Sequence, residues 1–558
     1  MKATRRIRTG RGPLLSIVVV LAILVALFAV VTWMPLRQAR EAWRSGHVAE
    51  AIAKGESWRR THMWPAQYHE LLAASYLAGH RTDKAQEHLD ALRGDSLWFH
   101  VLPKDEVARR LVAQQQYADF LAYDAATQER GERPDVALYR AASQLALGNP
   151  AEAEQSFHGV DASKVDAKKY AALRLAIEQR KQGSAPYVFD RNGRAIASYQ
   201  LANDDVVPVD AGFAPLVEAD AGELTFEAQR KRLGTNDTIE TTLDPVVQKA
   251  ALDALGGFRG SLVAIDPKTN EILAIASTRG NGPMKNLALE SQYEPGSVVK
   301  VLTGLNAVDS GLDLKSMFPY HCSGDLMIDG RHFGDWMATG HGTLNSIDDA
   351  LAVSCNVAFA DIGIRLGVDR LKSFMTTAGF DSQTNLGAFV VPLGKTVGPI
   401  FNKYETAFYA IGLEHESINA LHLAMVASMM ANRGVLTQPR LVTGRHSLLG
   451  ESVMTLQPLA STRIAKQQSA ETMIGAMQAV VTNARGTGRR APVDGVPIAM
   501  KTGTAGKREN GFQALIVAFA PVADPKIAFG IIAEDAGPAE FAGAKIAHDF
   551  VSAMKPRL

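Results

Sequence analysis

The sequence predicts an α+β region, an antiparallel sheet with helices packed on it, behind one transmembrane helix and an all-α region. Three observations lead there. Residues 14–34 carry no charge. Residues 36–182 are rich in Ala, Leu, Gln, Glu and Arg and hold only four prolines, a helix-forming composition. From about residue 238, two strand patterns come early and three come late with helical patterns between them, an α+β order.

The 558 residues suffice for two to four domains with at least one large core. A formal net charge of +1 lacks the basic surplus of a nucleic-acid partner. Cys322 and Cys355 are too few for a disulfide framework and form no CxxC. With no HExxH and no Cys/His cluster at zinc spacing, neither metal nor cofactor is expected.

Lys2, Arg5, Arg6, Arg8 and Arg11 precede the apolar stretch at 14–34. At 1.5 Å per residue that stretch crosses a bilayer core of roughly 30 Å. The basic residues predict a cytoplasmic tail at 1–13, a single-pass membrane anchor, and export of everything after Pro35. A cleaved signal peptide would have a shorter apolar run and a small-x-small site, which "FAVVTWMP" does not offer.

In the helical region 36–182, alanines recur in similar settings at Ala51, Ala85, Ala118 and Ala153. A small residue every ~34 positions, where two helices of a hairpin approach closely, resembles the tetratricopeptide repeat, although the full consensus is missing. Such a repeat offers a concave surface for a protein partner. "KQGSAP" at 181–186 breaks the pattern, so 183–237 is expected to be a linker. Within it, "YVFDRNGRAIASYQ" predicts a short β-hairpin about an Asn-Gly turn. From 238 to 558, "SLVAIDPKTNEILAIAS" predicts a hairpin. "VPIAMKTGT", "FQALIVAFAP" and "KIAFGIIAE" predict three late strands, and "FAGAKIAHDFVSAM" a closing amphipathic helix.

Three short patterns fall in order inside that last region: Ser297-Val-Val-Lys300, Ser354-Cys-Asn356 and Lys501-Thr502-Gly503-Thr504. The first two patterns also occur by chance, at Ser552/Lys555 and at Ser417/Asn419. Lys-Thr-Gly occurs once, on a strand pattern, and the ordered triple is far rarer than any member.

With these motifs the region 238–558 resembles the transpeptidase domain of class B penicillin-binding proteins, and hence a penicillin-binding/serine β-lactamase-like fold. "TTLDPVVQKAALDAL", "YEPGSVVKVLTGLNAVDSG", "GHGTLNSIDDALAVSCNVAF" and "MKTGTAG" follow that family's order, and "FDRNGRAIA" resembles its upstream segment. The helical region departs from the family.

The residues make chemical sense on their own. Positions i and i+3 of a helix share a face, so Lys300 is expected to reach the Ser297 hydroxyl. A serine needs a base to become a nucleophile, and a lysine serves if burial and a positive neighbour lower its pKa; Lys501 is the expected neighbour.

The resemblance implies the roles. Ser297 attacks the carbonyl of a D-Ala-D-Ala bond, expelling D-Ala and leaving an acyl-enzyme. Lys300 is the general base, Ser354 relays the proton, and Asn356 holds the substrate amide. Lys501, Thr502 and Thr504 dock the substrate carboxylate, and Gly503 allows close approach. Backbone N–H groups of Ser297 and Thr504 form the oxyanion hole. It implies peptidoglycan stem peptides as substrate, β-lactams as inhibitors, and a separate membrane glycan polymerase as partner, since no Glu-Asp-x-x-Phe motif of a glycosyltransferase is present.

Three motifs leave D,D-carboxypeptidase and β-lactamase open as alternatives, because these enzymes differ only in what attacks the acyl group. A repeat-based scaffold with a vestigial catalytic domain is the alternative from another class. Cys355 is expected to pack inward and Cys322 to lack a partner. Glu416, in Glu416-Ser-Ile-Asn419, is expected to be structural rather than a deacylating base.

Overall fold

A computed structural model describes residues 12–60, 65–93, 99–127, 133–203, 205–233, 237–507 and 511–558. The five basic residues at 2, 5, 6, 8 and 11 lie outside the described residues. The chain divides into two units, 1–183 with 447–453, and 184–446 with 454–558.

In the first unit the apolar stretch is a helix, Gly12–Arg44. Ile17, Leu21, Leu24, Phe28 and Val31 are each about half exposed. Among the described residues it is the one helix long and apolar enough to cross a membrane. The helix does not end at Pro35. Proline removes one ladder bond but suits helical φ, and beyond it Leu36, Ala39, Ala42 and Trp43 are buried in the helical core.

Helices then start at Val48, Thr82, Tyr117 and Pro150, recurring every 33–35 residues. Each follows a left-handed turn residue, at Gly46, His80, Gln115 and Gly148. The repeating small position is the fourth of the helix: Ala51, Ala85 and Ala153 are fully buried there. In the Tyr117–Ala126 helix that position belongs to Phe120, also fully buried, whereas Ala118 is exposed. Ala118 is therefore two residues out of frame: unlike the others, with Gly46, Gly79 and Gly148, this repeat has no glycine at its turn, and Phe120 fills the packing position.

The second unit carries two five-stranded sheets. In the central one, Ala499–Lys507, Gly511–Ala520, Ile527–Ala533, Arg259–Asp266 and Glu271–Arg279 lie side by side in that order, antiparallel throughout. Pro245–Leu255 and Ala542–Met554 pack against it, the latter through an edge-to-face pair of Phe529 and Phe550 at 5.0 Å. The wholly buried helix Ala420–Ala431 also packs on it. Gly530 makes the close crossing possible, since a Cβ there would lie 2.5 Å from that of Leu423.

The second sheet has the order Val442–His446, Thr238–Thr241, Ser184–Phe189, Ala195–Gln200, Asp205–Pro208. Residues 183–237 are thus no linker. Beyond the hairpin at Asn192-Gly193, their Phe213, Leu216, Val217 and Phe226 are buried in this unit's core, and Thr238–Thr241 pairs with a strand some 200 residues later in the chain.

Candidate active site

Ser297 lies in a 3₁₀ turn, Gly296–Val299, which runs into the helix Lys300–Asp309. Two backbone approaches set this turn. Gly296 is left-handed at φ 55°, and a Cβ on it would meet the Thr504 carbonyl at 2.7 Å. A Cβ on Gly503 would meet the Pro295 carbonyl at 2.8 Å and Val298 Cγ1 at 2.9 Å. Gly503 therefore lets the strand Ala499–Lys507 lie against the serine turn, bringing the Thr504 backbone beside Ser297. The close approach expected of Gly503 is between two parts of this chain.

Lys300 is fully buried. Its Nζ donates to the Ser354 carbonyl at 2.7 Å and to Asn356 Oδ1 at 2.6 Å, with Ser354 Oγ at 3.4 Å. Among the described residues the Ser297 hydroxyl has no hydrogen-bond partner, so the expected Lys300–Ser297 contact is not formed here. The turn is 3₁₀ at Ser297, and Asn356 and Ser354 hold the ammonium.

Burial pushes Lys300 down to about 8, against the pull of the Asp335 carboxylate. Lys501, also fully buried, is held well below its ordinary value by burial and then by the Lys300 charge. Burial thus lowers Lys300 as expected, but Lys501 is not among the causes; it is the Lys300 charge that disfavours the charge on Lys501.

Lys501 Nζ donates to Ser354 Oγ at 2.9 Å and to the Thr502 carbonyl at 2.8 Å. The Ser354 hydroxyl therefore sits between the two amines, on a residue with φ 58° that lines the cleft. Thr502 Oγ1 lies 2.6 Å from Thr487 Oγ1. Thr504 Oγ1 accepts from the Ala539 amide. A cleft of about 360 Å³ is lined by Ser297, Ser354, Asn356, Thr487, Thr502 and Thr504, with Trp336, Leu413, Phe512, Pro538 and Glu540 on its walls. Lys300 and Lys501 lie behind these hydroxyls.

Asp335 was not found from the sequence. Its Oδ2 accepts from the Asn356 and Val357 amides, at 2.9 and 3.3 Å, at the start of the helix Asn356–Leu366. Its Oδ1 faces His341 Nε2 at 3.2 Å. Burial works to raise its pKa, but the His341 bond, the Lys300 charge and the Cys355 thiol together hold it well below the usual carboxylate range. It fixes the backbone on which Asn356 stands. No spacing rule links residue 335 to 356; the one signal is an acidic residue able to reach a helix N-terminus.

Cys322 does have a partner: its Sγ lies 3.3 Å from Cys355 Sγ, and both are buried and free. The two sulfurs and Asp335 form a cluster of potential metal donors within 4.8 Å. Glu416 is buried, is not among the cleft-lining residues, and neither of its oxygens has a hydrogen-bond partner among the described residues. Asn419 caps the helix Ala420–Ala431 by accepting from the His422 amide. Ser552 Oγ lies 3.4 Å from His548 Nε2, in the closing helix.

Residues 260–554, more than half of the chain, match the penicillin-binding protein transpeptidase domain. The chain is 31% identical over 342 residues to the peptidoglycan D,D-transpeptidase PbpA of Mycolicibacterium smegmatis, covering 54% of this chain and 67% of that one. It is 29% identical over 374 residues to the peptidoglycan D,D-transpeptidase MrdA of Acinetobacter baumannii, covering 57% and 54%. The D,D-transpeptidase domain of a peptidoglycan glycosyltransferase from Eggerthella lenta superposes with a TM-score of 0.58 at 24% identity, over 67% of this chain and 99% of that one. The imipenem acyl-enzyme complex of penicillin-binding protein A from M. tuberculosis gives 0.58 at 23% identity, over 68% and 100%. The match across 260–554, together with the shared fold, shows that the chain belongs to the penicillin-binding protein transpeptidase domain family.

Proposed function

We propose that this protein is a membrane-anchored peptidoglycan D,D-transpeptidase that cross-links stem peptides through an acyl-enzyme on Ser297. The observation that carries the proposal is the buried Lys300, lowered towards neutrality and held on Ser354 and Asn356 beside a cleft-facing serine.

The residues support a balanced sequence of steps. Ser297 Oγ attacks the carbonyl carbon of the D-Ala-D-Ala bond as its proton passes to neutral Lys300. The resulting oxyanion is stabilised by the backbone amides of Ser297 and Thr504. Ser354, between the two lysines, relays a proton to the departing D-Ala amine as the C–N bond breaks. An acceptor amine then attacks the ester carbonyl, and Ser297 leaves with its proton restored. The hydroxyls of Thr487, Thr502 and Thr504 face the place of the substrate carboxylate, with Lys501 behind them.

The helix Gly12–Arg44 supports single-pass anchoring in the inner membrane with the second unit exported, and the helical repeats support docking of a protein partner. A separate membrane glycan polymerase is the partner this function calls for. The purified full chain, given a donor stem peptide with and without an amine acceptor, tests the proposal. Cross-linked product is expected. Released D-Ala alone would indicate a carboxypeptidase, and no turnover a scaffold.

A further inference from the structure

Cys322 and Cys355 take no part in the chemistry above, yet they touch it. Cys322 ends the strand Tyr320–Cys322, paired to Gly342–Leu344. Cys355 is the N-cap of the helix Asn356–Leu366, between the two residues that hold Lys300. Both backbones are tied into regular structure, and the sulfurs face each other at 3.3 Å, about 1.3 Å beyond an S–S bond length. Ser354 keeps its left-handed backbone next to them.

We propose that the Cys322/Cys355 pair is a covalent modification site, oxidised by an external disulfide to an S–S bond that ties the 354–356 motif to the neighbouring strand. In the closed fold the Cys355 thiol donates to Cys322. While the region is open, one of the two cysteines, as its thiolate, attacks a sulfur of the external disulfide and releases one thiolate. The other cysteine then attacks it in the mixed disulfide and releases the second. Two electrons leave the pair, and the two released thiolates take up its two protons.

Both sulfurs are buried, so exchange occurs before this region closes, in a compartment where disulfides persist. A buried pair of unbridged thiols beside Asp335 would gain little there. Bridged, it restrains Ser354 and Asn356, which position the base.

The site rests on the exported orientation proposed above, and two arms separate the failures. In the first, membranes are alkylated before lysis and the full chain is digested without reductant. A joined peptide containing residues 322 and 355, lighter by two hydrogen masses, is expected. In the second, the purified full chain is opened in mild denaturant with oxidised glutathione and closed again. A bond in the second arm alone refutes the orientation and upholds the site. Two alkylated thiols in both arms, or a metal ion retained on the pair, overturn it. Reduction should slow acylation by labelled penicillin about threefold or more, reversed on reoxidation, since a small misplacement of a catalytic group is costly. Cys322→Ala should match the reduced protein. If reduction and Cys322→Ala both leave acylation unchanged, the positioning role is refuted.

Discussion

Replacing Lys300 by Met separates its catalytic role from its effect on the fold. The lysine is lowered from 10.5 to about 8 by burial, which corresponds to roughly 3 kcal/mol against folding at pH 7. Methionine removes that penalty, but leaves the Ser354 carbonyl and Asn356 Oδ1 without their donor. Orphaning the buried Ser354 carbonyl costs about 1–3 kcal/mol, and half-buried Asn356 Oδ1, on the cleft wall, adds less. The two effects nearly cancel, and the thermal midpoint should stay within about 4 °C of the parent. Acylation should fall 10²–10⁴-fold, about 3–5 kcal/mol of barrier.

The same variant has a pH signature. Between about 8 and 10.5 the unfolded lysine still holds its proton while the folded one has lost it, so parent stability rises with pH across that window. The rise should be missing in Lys300→Met. Acylation by the parent should fall as pH drops through about 8, because protonated Lys300 cannot take the serine proton. Stopped-flow acylation with a labelled penicillin and thermal melts from pH 6 to pH 10.5 measure both. Acylation within tenfold of the parent, with the variant folded, would refute the assignment of Lys300 as base.

Gly503→Ala places a Cβ 2.8 Å from the Pro295 carbonyl, so the strand must move by about 0.5 Å from the serine turn; acylation should fall by about 10-fold or more with a stability loss of about 1–3 kcal/mol. Gly334→Ala, with nothing within 4 Å of the added carbon, should leave acylation unchanged. Asp335→Asn removes a charge from the start of the helix Asn356–Leu366 and should lower stability by about 1–2 kcal/mol and slow acylation, read by melting and labelling. Glu416 is pushed well above its ordinary pKa by burial and by Glu294, so its folded form keeps a proton that the unfolded form loses, and stability falls as pH rises above about 4.5. Glu416→Gln should remove that fall in melts across pH and leave labelling untouched.

The motifs were legible because each is local: Ser297/Lys300, Ser354/Asn356 and Lys501–Thr504 are short patterns, and the structure brings them to one cleft. The hairpin and the three late strands were legible for the same reason, since alternation and turn chemistry are written within a few residues. What escaped depends on distant contacts. Asp335 and Cys322 meet residues 355 and 356 through a loop and a short strand that no periodicity announces. The pairing of Val442–His446 with Thr238–Thr241 joins segments some 200 residues apart, and it turns an expected linker into a sheet. The third repeat is hidden because it has no glycine beside its turn and carries Phe120 where the others carry a small residue.

The central claim is that Ser297 carries the acyl group. Intact protein and its Ser297→Ala variant, each incubated with a labelled penicillin, digested and read by mass spectrometry, test it most directly. Ser297→Ala removes one hydroxyl that has no partner among the described residues, so the variant should melt like the parent. One adduct is expected on the peptide containing Ser297, with none in the variant and no change in the Ser552→Ala control. An adduct on any other serine, or undiminished labelling of folded Ser297→Ala, would contradict the account.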